Sequence, residues 1–175
     1  VSWAEDMFCK TGVEMGTDFR ICVYPRPQDR MNAEFDLRKS FQILKDLNSW
    51  MSDWTPGTEL NRINEASGTE PVKVWKELFD LLSLSQDISR KSDGAYDPTF
   101  NVFFGLYNFK SGQEREPTKD ELESRLKLIN YEDLVLDRKN LTAFLKRKGM
   151  KLGLGAIGQG YGVDRVVTQL KVRYP

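Results

Sequence analysis

Gly153-Leu154-Gly155-Ala156-Ile157-Gly158-Gln159-Gly160-Tyr161-Gly162-Val163-Asp164 is the stretch on which the fold turns. Its first six residues match G-x-G-x-x-G. Residues 150–154 before it read as a short strand, and residues 158–171 after it as a helix with Tyr161, Val163, Val166, Val167 and Leu170 as apolar contacts. A glycine turn between strand and helix exposes backbone N–H groups at the positive end of the helix, where a phosphate can sit. A plain tight turn uses the same residues. A dinucleotide fold also requires an acidic residue ~20 positions on, at the end of a second strand. The sequence ends at Pro175, before that point.

Composition narrows the chemistry. The chain has 175 residues, 26 Lys+Arg, 26 Asp+Glu and no histidine. Zero net charge gives no overall basic field for nucleic acid. Without histidine, these residues alone cannot form a Ser-His-Asp triad, a Cys-His pair or a His-ligated zinc site. The two cysteines, Cys9 and Cys22, are too few for a disulfide framework and make no Cys-x-x-Cys. Pairing with each other and remaining as buried free thiols both stay open. Apolar runs fall far short of the ~18 residues that a membrane span needs. The N-terminus is no signal peptide and lacks an initiator Met, as expected of a mature or trimmed start.

Outward from the glycine stretch, periodicity predicts the elements. Phe19, Ile21 and Val23 alternate as a strand. Leu37, Phe41, Leu44, Leu47 and Met51 place an amphipathic helix over 32–51. A second helix is predicted from Pro71 to Ser92, with Gly94 as its stop, and a third from Thr118 to about Ile129, opened by a Thr118/Glu121 capping box. Residues 134–136 and 140–145 read as strands. The mixture predicts α+β, a mixed sheet packed with helices.

Five other segments stand out. Asp97 precedes Pro98 in Ser92-Asp93-Gly94-Ala95-Tyr96-Asp97-Pro98-Thr99, so its carboxylate is held on a non-helical loop; turn closure is the commoner use of such residues. Trp54 sits at a helix exit, either for stacking on a planar ligand or for core packing. Met15-Gly16-Thr17 lies at the start of the first predicted strand. Lys146-Arg147-Lys148 reads as a solvated hairpin turn. Residues 58–64 read as a short helix bracing nearby loops.

Together these segments resemble the ApbE-type FAD:protein FMN transferases. Met15-Gly16-Thr17 is similar to that family's "MGT". Ser52-Asp53-Trp54 with Thr58-Glu59-Leu60-Asn61-Arg62-Ile63-Asn64 is similar to its "S-x-[aromatic]…S-E-[hydrophobic]-x-R-[hydrophobic]-N". Residues 93–99 resemble "DGAFDPT", and residues 155–164 resemble "GgiaKGyavD". The resemblance implies an ApbE-like fold over residues 1–175, read as the N-terminal portion of one flavin-transferase domain that is incomplete at the C-terminus. It implies Mg²⁺-dependent transfer of FMN from FAD to a threonine hydroxyl of a partner flavoprotein of an electron-transport complex, with AMP released. By position it assigns FAD contacts to Met15, Trp54, Ala95, Tyr96, Asp97 and Gln159, and a Mg²⁺ contact to the Ala156 carbonyl.

Gly153 stands where the family often has Asp, and Gln159 where it has Lys or Glu, so a charge is missing at the FAD site. The family's glycine-rich "aGGd" strand and "HxxDPxTG" segment, which carry a His and further Mg²⁺ ligands, are not in this sequence; the catalytic groups are expected beyond Pro175. The resemblance also implies a periplasmic location or the outer face of the cytoplasmic membrane, with anchoring through an N-terminal lipid. Three alternatives remain: FAD hydrolysis to FMN and AMP, a non-catalytic FAD-binding module, and a Rossmann NAD(P) domain.

Overall fold

A computed structural model describes residues 7–53, 55–107 and 114–174. The chain divides into two compact units, residues 1–50 with 155–175, and residues 51–154.

The first unit is built on a hairpin. Strands β1 (Phe8–Glu14) and β2 (Thr17–Val23) pair antiparallel from Glu14↔Thr17 to Phe8↔Val23. Met15-Gly16 is therefore the two-residue turn of a hairpin, not the start of a strand. Both residues have positive φ, 52° and 73°, as a type I′ turn requires. Methionine is an unusual occupant of that left-handed conformation. The first strand gave no sequence signal because none of its residues is buried. Cys9 and Cys22 face each other across the hairpin and form a disulfide, with Cα atoms 4.1 Å apart. Cys9 is exposed and Cys22 half-buried, so the buried-thiol alternative does not hold.

Helices α1 (Arg30–Met51) and α5 (Gly155–Leu170) complete this unit. Ile21, Val23, Ala33, Leu37, Leu44, Val166 and Leu170 form its core, with Met15, Phe19 and Phe41 packed alongside. A Cβ on Gly162 would lie 2.9 Å from Leu44 Cδ2 and 3.4 Å from Met15 Sδ. That glycine sets how closely α5 approaches α1. The buried Ser40 hydroxyl sits 2.9 Å from both Asp36 O and Gln169 Oε1. Asp36, also buried, accepts from the Tyr174 hydroxyl at 2.9 Å and pairs with Arg173 Nε at 3.0 Å. Burial and the Asp36 carboxylate push the Tyr174 hydroxyl up to about 12.

The second unit holds α2 (Glu59–Glu65), β3 (Val72–Lys73), α3 (Lys76–Lys91), α4 (Lys119–Leu126), β4 (Leu134–Asp137) and β5 (Thr142–Leu145). The sheet order is β3-β5-β4, antiparallel throughout. The predicted helix from Pro71 starts late, at Lys76. Val72 and Lys73 pair with Ala143 and Thr142, and both Glu59 carboxylate oxygens take the Trp75 N–H, at 3.1 and 3.2 Å. The Thr118 capping box forms as expected: Thr118 Oγ1 accepts from Glu121 N and Glu121 Oε2 from Thr118 N. That helix ends at Leu126.

Residues 150–154 form no strand. Lys151 makes a single parallel bridge to Phe100, and the Asn64 side chain takes up both backbone polar groups of Leu152. The predicted helix after it begins at Gly155, three residues early, so Gly155 and Gly158 are helical rather than turn residues. Among the described residues no ladder is parallel, which removes the Rossmann reading. Lys146 and Arg147 are not simply solvated: both pair with Asp133, at 3.6 and 2.6 Å. The α+β class stands, as helices with two small antiparallel sheets. No described helix is long and apolar enough to cross a membrane.

Candidate functional site

Residues 92–99 follow α3 as a tightly bonded loop in the second unit. Asp93 and Gly94 both turn left-handed, at φ 50° and 79°, and the Gly94 N–H donates back to Ser89 O at 2.9 Å. This ends the helix where the glycine predicted it. Ser92 holds the next two residues: its carbonyl accepts from Ala95 N at 2.9 Å and its hydroxyl from Tyr96 N at 3.1 Å. The Tyr96 hydroxyl lies 2.7 Å from Ser85 Oγ, on α3. Burial raises the Tyr96 hydroxyl above the usual phenol range, the Ser85 bond opposes this, and the Asp97 charge adds to it.

Asp97 is a clasp. Its Oδ1 accepts from Thr99 N at 2.8 Å and from Thr99 Oγ1 at 2.6 Å. Its Oδ2 accepts from Tyr131 N at 2.9 Å. Thr99, fully buried, accepts in turn from Asn130 N at 2.9 Å. The carboxylate thus ties the loop to residues 130–131. Ala95 is exposed, while Tyr96 and Asp97 are half-buried and their side chains anchor the loop.

The segment 58–64 is a brace, as expected. Thr58 caps α2, accepting from Asn61 N at 3.1 Å and donating to Ser52 O at 2.6 Å. Leu60 and Ile63 are core. Glu59 is buried against Trp75 N and pairs with Arg62; burial raises its pKa against those bonds. Asn64 holds Leu152. Asn101, which the sequence did not single out, donates from Nδ2 to Asp53 Oδ2 at 2.7 Å and to Leu152 O at 2.9 Å. Asp53, Asn61, Asn64, Glu65, Asn101, Phe104 and Lys151 line a cleft of about 320 Å³ in this unit.

The remaining candidates lie in the first unit. Met15 reaches α5 at Gly162, and helical spacing puts the exposed Gln159 one turn before that glycine. The structure therefore sets Met15 against α5 at Gly162, and separately groups Ala95, Tyr96 and Asp97 on one loop. Trp54 lies outside the described residues. Ala156 is exposed in the first turn of α5, where its carbonyl points along the helix toward the N–H four residues on. Magnesium takes near-octahedral oxygen coordination, mostly from carboxylates, phosphates and water. Among the described residues no three His, Cys, Asp or Glu side chains cluster to hold a metal. One helical carbonyl does not build that site, so these residues do not fit a Mg²⁺ centre by themselves. Of the residues missed in the sequence, Ser85, Asn101 and Tyr131 act through contacts distant in the chain; no local spacing marks them.

Comparison with known proteins identifies the family and the fold. The ApbE family model matches residues 15–174. An FAD:protein FMN transferase of Klebsiella pneumoniae (strain 342) is 27% identical over 165 residues, covering 94% of this chain and 50% of that protein. One from Treponema pallidum (strain Nichols) is 28% identical over 170 residues, covering 93% and 46%. The crystal structure of the ApbE protein from Thermotoga maritima superposes with a TM-score of 0.85 at 26% identity, over 94% of this chain and 53% of that one. The chain spans about half the length of the curated relatives it matches.

Proposed function

Because this chain belongs to the ApbE family, we propose that the protein transfers the FMN half of FAD to a threonine hydroxyl of a partner flavoprotein and releases AMP. The observation that carries the reading is the family match over residues 15–174, which takes in all four motif segments. In the reaction the threonine oxygen bonds to the FMN phosphorus. The P–O bond to the AMP phosphate breaks, its electron pair leaves with AMP, and the hydroxyl proton is released. Little covalent chemistry is asked of the protein; positioning and charge neutralisation do most of the work.

In this proposal the chain's own residues bind and orient FAD. The loop at Ala95, Tyr96 and Asp97 offers a preorganised edge, because its conformation is fixed by bonds to Ser92, Ser85, Thr99 and Tyr131. The exposed N-terminus of α5 suits a pyrophosphate, since its first N–H groups have no partner within the helix. Gln159 contributes hydrogen bonding without charge, and Met15 an adaptable apolar contact. Mg²⁺ enters through the family likeness alone and would neutralise phosphate charge when bound. The acceptor is proposed to be a flavoprotein subunit of an electron-transport complex. A location outside the cytoplasmic membrane, with lipid anchoring, is also proposed, and the Cys9–Cys22 disulfide supports an oxidising compartment.

The test is incubation of the intact protein with FAD, Mg²⁺ and a threonine-bearing flavoprotein acceptor. The expected result is equimolar AMP and flavin fluorescence that stays with the acceptor after denaturation. Free FMN and AMP with no labelled acceptor would replace transfer by hydrolysis. FAD binding without AMP release would leave a non-catalytic module.

A further inference from the structure

Ser85 is out of character with its surroundings. It lies on the buried face of α3 among Leu78, Leu81 and Leu82, and is itself fully buried. A hydroxyl in such a place is costly unless bonded. The partner of its side chain is the Tyr96 hydroxyl, at 2.7 Å. The family segment that residues 93–99 resemble carries Phe where Tyr96 stands. The extra hydroxyl of the loop and the buried hydroxyl of the helix therefore answer each other.

The bond also completes the fixing of the loop. Backbone bonds to Ser92 hold Ala95 and Tyr96, and the Asp97 clasp holds the far side. What those bonds leave free is rotation of the Tyr96 side chain, and Ser85 removes it. We infer that Ser85 is a positioning residue for FAD, acting through Tyr96 to hold the flavin-binding loop in one conformation. This rests on the proposed FMN-transfer reading. Ser85 itself is sealed from ligand by burial. The Tyr96 hydroxyl, turned inward to Ser85 and holding its proton more tightly than a free phenol, is not offered as a base.

The test compares wild type, Ser85→Ala, Tyr96→Phe and the double variant in the intact protein. FAD affinity is read by flavin fluorescence, KM and kcat by AMP release, and folding by thermal unfolding. Each single change leaves one hydroxyl without its partner, and the expected rise in Kd and KM for FAD is about 5–10-fold, with a smaller change in kcat. The double variant removes the same single bond, so its loss is expected to match that of one single variant. Single variants that bind FAD as wild type does would overturn the inference. So would a double variant whose loss is the product of the two singles. If Ser85→Ala does not fold, Tyr96→Phe against wild type makes the same comparison, and an unchanged FAD affinity in Tyr96→Phe overturns the inference. A wild type that neither binds nor cleaves FAD overturns the functional reading itself, and this inference with it.

Discussion

Asn64 holds Leu152 by both of its backbone polar groups. Its Oδ1 accepts from Leu152 N at 2.7 Å, and its Nδ2 donates to Leu152 O at 3.0 Å. A side-chain amide thus plays the part of a neighbouring strand for a fully buried residue. Asn64→Ala would strand the Leu152 N–H, while Leu152 O keeps its bond from Asn101 Nδ2, at a cost of about 1–3 kcal/mol for an unsatisfied buried polar group. The midpoint of denaturant unfolding is expected to fall accordingly. Asn64→Asp, which keeps the acceptor and loses the donor, should fall in between. An unchanged midpoint for Asn64→Ala would show that water replaces the amide.

Gly160 and Gly162 lie two residues apart on α5 and should respond in opposite directions to alanine. Gly160 is exposed, with open space where a Cβ would go. Gly160→Ala is expected to stabilise by roughly 0.5–1 kcal/mol through helix propensity. At Gly162 the new Cβ meets Leu44 Cδ2 at 2.9 Å. There the crowding, about 1–3 kcal/mol, should exceed the propensity gain. Paired melting curves decide it; a stabilised Gly162→Ala would mean that α5 moves outward without penalty.

The disulfide should matter most to the hairpin. Cys9 and Cys22 are separated by 13 residues, and closing a loop of that size is worth about 3 kcal/mol through the unfolded chain. The double Cys→Ser variant, or reduction, should lower stability by that order. It should also speed amide exchange in residues 8–23 before the rest of the unit. Equal exchange across both forms would sink this expectation.

Alkaline pH should weaken the tie between Asp36 and Tyr174. The folded protein holds the Tyr174 proton more tightly than the unfolded chain does, with a pKa near 12 instead of 10. The contribution is therefore complete below pH 10 and is lost as pH rises toward 12. Tyr174→Phe should be less stable than wild type at neutral pH, and the gap should close over that window. A gap that stays constant to pH 12 would contradict the assignment.

The glycine stretch that decides the fold shows how far local reading carries. Repeating hydrophobes fixed α1 in place because a face that must be buried leaves a 3.6-residue period in the chain. The Thr118 capping box and the Gly94 stop were legible for a similar reason: each bond spans only a few residues. The order of the four motif segments likewise identified the family from the chain alone. Strand β1 was not legible, since its partner and its cystine cross-link, not its own apolar pattern, make it a strand. The reading of Pro71 as a helix start failed because a carboxylate 16 residues away takes the Trp75 N–H. Residues 150–154 failed as a strand because Asn64, 88 positions from Leu152, supplies the pairing. The same limit applies to Ser85: nothing near it in the chain names Tyr96 as its partner. Sequence alone determined the elements whose energy is local and periodic, together with the family. Tertiary structure decided where buried polar groups find partners, because a buried donor must be satisfied by whatever folding brings to it, however distant in the chain.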